Sequence, residues 1–201
     1  MKKLTHSFAA VKLIIAAIIF LAVPTLVTAQ ATYKLAQSPD VTIKVLGSSN
    51  VHDWTMTSTA MESQGDFTFV GDKLQGLHTF SFHLAVKSLH SDHASMDDRT
   101  YKSVNASKYP NISYKLTSAV VTSVGGSKYL IKTKGDLTIA GVTQSISMDV
   151  TAAAGADNTI TCIGAKKIKL TDYGIKPPTF MLGTMKVAND LTIQFNLIYK
   201  K

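Results

Sequence analysis

The sequence predicts an all-β domain, built as a sandwich or a closed barrel, and three observations support this prediction. Apolar residues make up 45 % of the 201 residues and charged residues 17 %, which is enough to bury a core. Apolar and polar residues alternate along most of the chain, as they do in strands with one buried face. Turns rich in glycine and asparagine, such as residues 47–50 and 155–158, separate the alternating runs. Strands of this kind exclude a parallel sheet that helices cover on both faces.

The first 29 residues predict a cleaved export signal. Lysines precede the apolar run Leu13–Val23, which is shorter than the roughly 20 residues that a membrane-spanning helix requires. Small or branched residues then place the cleavage after Ala29, and an uncleaved anchor is the alternative. No cysteine stands at the cleavage site behind the apolar run, so a lipoprotein is excluded. We expect residues 30–201 to form one periplasmic or secreted domain.

The charge of the mature chain excludes a nucleic-acid binder. Cleavage removes three lysines and no acid, so the net charge falls from +8 to +5. The remaining lysines are scattered, apart from Lys166, Lys167 and Lys169, whereas nucleic-acid binders cluster them in a stripe. A mild attraction to an anionic membrane surface is compatible with this charge.

The alternating runs follow one another after residue 40. Their apolar positions are Ile43 and Val45; Phe67 and Phe69; Phe80, Phe82, Leu84 and Val86; Ile112, Tyr114 and Leu116; Leu137 and Ile139; Ile146, Met148 and Val150; and Leu191, Ile193, Phe195, Leu197 and Tyr199. Successive side chains of a strand point to opposite faces, so each set shares one face, which we expect to point inward.

Residues 90–109 break the alternation. Ser95, followed three residues later by Asp98, forms a variant of the capping box, with acids in the first helical turn. Pro110 ends the segment. We expect a short helix around residues 95–105 that closes one end of the barrel.

The chemically reactive side chains do not assemble into an active site. His90 and His93, with Asp92 between them, approach the spacing of metal ligands, but zinc sites take three or four ligands and the sequence fixes no third one. We therefore predict surface histidines, no metal and no cofactor. Cys162, the only cysteine, shares the inward parity of Ile160, so we interpret it as a buried apolar residue.

The inward face carries many large apolar side chains. The residues that we predict to line the interior are Trp54, Met56, Phe67, Phe69, Phe80, Phe82, Leu84, Tyr114, Leu116, Met148, Phe195 and Leu197. Periodicity is compatible both with a filled core and with a pore that holds an elongated apolar ligand. Arg99, the only arginine, either clamps an anion or pairs with Asp97 or Asp98.

Several segments, taken in order, resemble the YceI-like family over almost the whole mature chain. They are residues 49–54, 86–89, 96–98, 101–103, 108–114, 135–143 and 170–175. The stretch KYPNISY resembles the family pattern K-Y-P-x-I-x-F. The most specific stretch, GDLTIAGVT, resembles G-x-L-T-I-x-G-V-T.

The resemblance implies a lipocalin-like antiparallel barrel around a pore that holds a long polyisoprenoid chain, in a bacterial periplasm. We accordingly expect a non-catalytic protein that binds a prenyl or quinone-like lipid. Arg99, Lys102 and Lys108 are our predictions for a rim that meets the ligand head group, together with the stiff apolar connection at residues 177–181. A transient contact with a membrane surface and a homodimer are compatible with this interpretation.

Two alternatives stay open from the sequence. In the first, the barrel is filled by its own side chains and serves as a stress-response or interaction module. In the second, the protein is a metal-dependent enzyme that acts on a lipid. A continuous cavity distinguishes the binding protein from the filled barrel, and a metal retained after purification would indicate the enzyme.

Overall fold

The computed structural model describes residues 28–155 and 159–201, in which the alternating runs form β-strands. The strands are β1 (Thr28–Leu35), β2 (Thr42–Ser48), β3 (Asp53–Ser58), β4 (Met61–Val70), β5 (Lys73–Ala85), β6 (Asn111–Gly125), β7 (Lys128–Ile139), β8 (Val142–Ala154), β9 (Thr159–Lys169), β10 (Thr179–Phe180), β11 (Met185–Lys186) and β12 (Asp190–Lys200). They are joined by helix α1 (Ala94–Ser103) and by 3₁₀ turns at Val86–Ser88, Leu170–Tyr173 and Met181–Gly183. The predicted export signal lies outside the described residues except for Thr28 and Ala29, which begin β1.

Eight of the strands close into an antiparallel barrel. Hydrogen-bonded neighbours run in the order β1, β4, β5, β6, β7, β8, β9 and β12. Strand β12 returns to β1 through the pairs Lys34↔Lys200 and Leu35↔Tyr199. Closure gives the backbone groups of the first and last strands a partner, which an open sheet would leave exposed. The predicted antiparallel barrel is confirmed.

Strand β7 shows how alternation builds the wall of the barrel. Tyr129, Ile131 and Leu137 are buried, whereas the intervening Lys132 and Lys134 are exposed. Every second side chain of β7 therefore points into the core, and the lysines between them face the solvent.

An aromatic layer fills the barrel near the end of β12. Tyr199 is fully buried, and its ring centroid lies 6.0 Å from that of Phe67 and 5.8 Å from that of Phe80. Its hydroxyl group forms a hydrogen bond with Ser63 Oγ at 2.9 Å. Because this large side chain is both packed and hydrogen-bonded, it closes the interior at this end of the barrel.

Helix α1 lies at the other end, near the start of β12. The predicted helix is present, but the predicted cap is wrong: His93 occupies the N-cap position, without a side-chain capping bond, and Ser95 lies inside the helix. The buried Asp97 ties the helix to the preceding loop instead. Its carboxylate accepts hydrogen bonds from Ser91 N and Ser91 Oγ, both at 2.7 Å, and contacts His90 Nδ1 at 3.1 Å.

Two hairpins stand beside α1 at this end of the barrel. The β2–β3 hairpin is attached to β12 through β2. Strand β2 pairs with residues 192–196 of β12, whereas β1 pairs with residues 199 and 200 of the same strand. The short β10–β11 hairpin lies next to it, joined by a bridge between Ser49 and Val187. In the part of the chain that the structure describes, no helix is long and apolar enough to cross a membrane.

The wall of the barrel is not uniformly paired. Strand β8 pairs with β9 from Val150, opposite Gly164, to Ala154, opposite Ile160. Toward α1, within the described residues, the two strands separate, and Lys166 Nζ donates a hydrogen bond of 2.8 Å to the Ser147 carbonyl oxygen across the gap. The lysine stem thereby covers the opening while its ammonium group stays near water.

Candidate ligand-binding cavity

Two neighbouring cavities occupy the interior of the barrel. The outer cavity, below α1, has a volume of about 250 Å³, and the inner cavity, in the middle of the barrel, has about 100 Å³. Ile43, Ile112 and Ile193 line both, so the two cavities meet at these side chains. Open volume therefore remains between the side chains that line the interior.

The outer cavity has an apolar wall and a polar mouth. Three of the predicted lining residues, Trp54, Met56 and Leu84, border it. Polar side chains that also border it are Ser49, His52, His93, Ser95, Arg99, Thr100 and Ser103. These residues belong to the β2–β3 hairpin, to the N-cap and to α1, so the polar groups gather at the end of the barrel that α1 covers.

The inner cavity is the more apolar of the two. Eight of the predicted residues line it: Phe67, Phe80, Phe82, Tyr114, Leu116, Met148, Phe195 and Leu197. Cys162 also borders it, as its inward parity predicts. Burial raises the pKa of the Cys162 thiol to about 12, so the thiol is neutral and behaves as a small apolar group.

Phe69 is placed differently from the other predicted lining residues. It does not border either of these two cavities among the described residues, and its ring centroid lies 6.0 Å from that of Tyr33. Phe69 lies two positions beyond Phe67 on β4, and the β4–β5 register shifts before Phe67 and again between Thr68 and Phe69. The inward parity of Phe69 is correct, but its side chain packs beyond the inner cavity.

The three predicted rim residues are also divided. Arg99 borders the outer cavity, and its guanidinium group lies 4.7 Å from the centre of the Phe180 ring on β10. Lys102 and Lys108 are exposed and border neither cavity, and Lys108 Nζ lies 5.2 Å from the centre of the Tyr109 ring. A cation over an aromatic ring is attractive, so Arg99 connects α1 to the β10–β11 hairpin across the mouth.

Several residues of the outer cavity were missed from the sequence. Met96 and Thr100 on α1 border it, as does Val104, the C-cap residue of α1. Met185 borders it from β11. Helical spacing of apolar residues in α1 could have identified Met96 and Val104. The apolar connection at residues 177–181 was predicted as a rim, and its members Pro178 and Phe180 do border the cavity.

Two buried donors at the outer cavity have no hydrogen-bond partner. These are Trp54 Nε1 and the Tyr173 hydroxyl, for which residues 28–155 and 159–201 supply no acceptor. Burial, with a smaller contribution from the charge of Asp172, raises the pKa of Tyr173 to about 12. Tyr173 is therefore a neutral donor at physiological pH, and an unpaired buried donor favours a ligand that brings an acceptor.

The histidines predicted as loop residues do not form a metal site with their neighbours. His90 contacts Asp97, and His93 borders the outer cavity. In the described part of the chain, no three histidine, cysteine, aspartate or glutamate side chains lie close enough together to hold a metal ion. Asp97 is occupied by hydrogen bonds that hold the loop against α1.

Comparison with known proteins relates this geometry to a family. The family profile described as the YceI-like domain matches residues 30–199. No curated protein matches the sequence significantly.

Three solved structures share the fold. BcnA of Burkholderia cenocepacia is 20 % identical with a TM-score of 0.63, over 79 % of this chain and 95 % of its own. A polyisoprenoid-binding domain from Saccharophagus degradans, implicated in plant cell wall breakdown, is 14 % identical with a TM-score of 0.64, over 86 % of this chain and 99 % of its own. A YceI protein of Campylobacter jejuni is 20 % identical with a TM-score of 0.52, over 69 % of this chain and 81 % of its own. At these identities, the likeness establishes the fold.

Proposed function

The chain belongs to the YceI-like family, and from this premise we propose that it is an exported, non-catalytic protein that binds a polyisoprenoid-type lipid in its barrel. The observation that carries the proposal is the pair of apolar cavities that meet at Ile43, Ile112 and Ile193. A long, flexible hydrocarbon chain is the ligand class that such an interior accommodates. The domain from Saccharophagus degradans, which is described as polyisoprenoid-binding, has the same fold.

The energetics of chain burial support a hydrocarbon chain as the part of the ligand that occupies the inner cavity. Burying each CH₂ group contributes about 0.8 kcal/mol, so about ten to fifteen carbons contribute on the order of 8–12 kcal/mol. The loss of ligand freedom removes about 4 kcal/mol or more. At the upper end of this range, the net binding free energy of about 8 kcal/mol corresponds to a micromolar dissociation constant. Chain length should then set selectivity, because the aromatic layer around Tyr199 limits how deeply the chain can enter.

The polar groups at the outer cavity support a head group with hydrogen-bond acceptors. Trp54 Nε1 and the Tyr173 hydroxyl are buried donors that the described residues leave unpaired. Arg99 adds a cation at the mouth. A quinone, a prenyl ketone or a prenyl phosphate brings acceptor oxygens to these groups, whereas a pure hydrocarbon leaves them unpaired.

The first test is to identify what the protein carries. The protein would be purified without detergent from the periplasm of cells that express the full-length chain, and its solvent extract would be analysed by mass spectrometry. We expect one stoichiometric prenyl species, and an intact mass that begins at Gln30. A folded protein with an empty extract would contradict lipid binding, and a retained leader would contradict cleavage after Ala29.

A variant at the junction of the two cavities tests the site itself. Ile193→Phe places a larger side chain where the cavities meet, so the variant should carry a shorter chain than the wild-type protein does. The matched control is Ile163→Phe, because Ile163 is 54 % exposed. Circular dichroism would verify that both variants fold. An unchanged ligand in folded Ile193→Phe would place the chain elsewhere.

A further inference from the structure

The tip of the β10–β11 hairpin presents an apolar side chain to solvent at a conformational cost. Leu182 is completely exposed, and its φ of 57° and ψ of 30° lie in the left-handed region. Bulky residues with a Cβ atom rarely adopt this conformation, which glycine and asparagine tolerate. Leucine at this position is thus unfavourable for both hydration and backbone geometry, so folding alone does not explain it.

A second exposed apolar side chain lies on the neighbouring hairpin. Val51, in the turn between β2 and β3, is 60 % exposed. Asn50 joins the two hairpins: its Nδ2 donates to Thr184 O at 2.8 Å, and its Oδ1 accepts from Lys186 N at 2.7 Å. A backbone bond from Asn50 N to Lys186 O adds to these contacts. Val51 and Leu182 therefore belong to one braced unit, which we call the paired tips.

The paired tips stand at the mouth of the outer cavity. Ser49 and His52, on either side of Val51, border the cavity. Phe180 and Met185, on either side of Leu182, border it as well. Any surface that receives the two exposed side chains is thus brought against the cavity mouth.

The charge of the paired tips favours an anionic surface. Residues 47–52 contain no acid, and residues 174–189 contain Lys176 and Lys186 and no acid. The nearest acids along the chain, the exposed Asp53, Asp172 and Asp190, flank these two ranges. Lys176 and Lys186 are both exposed. Apolar side chains that project beyond a cationic surface match the interface of an anionic bilayer, where the lysines meet phosphate groups and the aliphatic side chains enter the acyl boundary.

We propose that the paired tips dock this end of the barrel onto an anionic phospholipid bilayer, with Leu182 and Val51 inserted into its interface and the cavity mouth facing the lipids. This inference rests on the proposed function, because it assigns the surface through which a lipid chain enters and leaves. A stable protein interface usually buries roughly 800 Å² on each partner. Two projecting aliphatic side chains match a fluid lipid interface better than a shaped protein surface.

The test measures partition of the purified protein onto vesicles of equal parts phosphatidylcholine and phosphatidylglycerol. We expect Val51→Asp combined with Leu182→Asp to weaken partition by about tenfold or more, since two aliphatic insertions are lost. Two matched controls are Val124→Asp alone and Val120→Asp combined with Val124→Asp. Val124 is also 60 % exposed but lies near the β6–β7 turn, and Val120 lies on the same strand. The partition of both controls should stay within about twofold of the wild-type value.

The fluorescence of Trp54 provides an independent readout of orientation. Trp54 is the only tryptophan of the chain and borders the outer cavity, two residues from His52 at its mouth. Brominated phospholipids in the vesicles should quench its emission in the wild-type protein and in the Val124→Asp control. Vesicle binding without this quenching would overturn the proposed orientation.

The outcomes separate this inference from the proposed function. Equal partition of the wild-type protein and the Val51→Asp, Leu182→Asp variant would overturn the docking surface, even if both proteins carry lipid. A variant that still carries lipid but no longer partitions would support it. Vesicle docking by a wild-type protein whose extract is empty would retain the surface and refute the lipid carrier. A wild-type dimer that forms without vesicle binding, and that the double substitution abolishes, would assign the paired tips to a second copy instead.

Discussion

Asp97 shows how a single carboxylate positions the helix above the cavity. Burial alone raises the pKa of Asp97, but hydrogen bonds from the Ser91 side chain and backbone and the contact with His90 outweigh this effect. The pKa of Asp97 is therefore lower than its ordinary value of 3.8. The ionised carboxylate stabilises the folded state, because the Ser91 and His90 groups surround it only when the chain is folded.

This lowered pKa predicts a stability that depends on pH. The stabilisation by Asp97 is fully present above its ordinary pKa and is lost as the pH falls through the lower folded-state pKa. Asp97→Asn should therefore lower the free energy of unfolding at neutral pH, and the difference from the wild-type protein should shrink as the medium becomes acidic. Urea denaturation between about pH 3 and 7 would measure both effects. The control is the exposed neighbour Asp98→Asn, and parallel curves for wild type and Asp97→Asn would contradict the prediction.

The hydroxyl group of Tyr173 supports a second prediction at this scale. Because the described residues leave it without a partner, Tyr173→Phe should not lower the stability of the empty protein. The same variant should bind a prenyl ketone or quinone about five- to tenfold more weakly, while binding of a matched hydrocarbon is unchanged. Tyr129→Phe is the control for a lost hydrogen bond, because the Tyr129 hydroxyl accepts from Leu74 N at 3.2 Å. Calorimetric unfolding and ligand titration separate the two outcomes. An equal loss of affinity for both ligands would refute a role for the hydroxyl.

At the scale of elements, the mouth is held by contacts between segments that are distant in sequence. Helix α1 contacts the β10–β11 hairpin through Arg99 and Phe180. The same hairpin is joined to β2–β3 through Asn50. The mouth is thus framed by three short elements, whereas the wall below consists of long paired strands. Local opening is expected to be easier in such short segments than in the barrel.

Arg99 should control ligand exchange through this frame. Removing it in Arg99→Ala should raise the rates of ligand entry and release by roughly two- to fivefold, since an exposed cation–π contact contributes about 0.5–1 kcal/mol. Affinity should change less than either rate for an uncharged ligand. Stopped-flow measurement of Trp54 emission on ligand mixing would give both rates, with Lys102→Ala as the control on the exposed face of α1. Unchanged rates in Arg99→Ala would show that the contact does not limit access.

At the scale of the whole molecule, the closed barrel protects its interior. Cys162 is 6 % exposed and borders the inner cavity. Its thiol reports whether reagents reach that cavity, because only the thiolate reacts and burial disfavours it.

We expect Cys162 to resist thiol reagents in the native protein at neutral pH, where its pKa of about 12 leaves it protonated. It should react fully once guanidinium unfolds the barrel. A bound chain should slow native labelling further, since it occupies the space beside the thiol. The reaction would be followed with an aromatic disulfide reagent, by the absorbance of the aromatic thiolate that it releases. Rapid labelling of the folded, ligand-bound protein would contradict an enclosed inner cavity.

The sequence by itself determined most of the long strands of this fold, its helix and the direction of many side chains, but it did not predict β1, β10 or β11. Alternation is a property of each strand, so Phe82 and Leu197 could be assigned to the interior without knowing their neighbours. The helix near residue 95 could be predicted for the same reason, because helical signals are local. Its cap could not, since the hydrogen bonds of Asp97 to Ser91 and His90 replaced the expected capping box.

The tertiary structure alone decided which inward residues surround open space and which surfaces frame its mouth. Phe69 has the correct parity but packs against Tyr33 and does not border the inner cavity, which only the three-dimensional arrangement of β1 and β4 decides. Trp54 and Tyr173 became unpaired donors at one cavity only when their distant segments were brought together. Asn50 likewise meets Thr184 and Lys186 only because the fold brings the β2–β3 and β10–β11 hairpins together. Cavity volume, hydrogen-bond pairing and side-chain exposure depend on contacts between segments that are distant in sequence. The alternation of side chains along a strand does not.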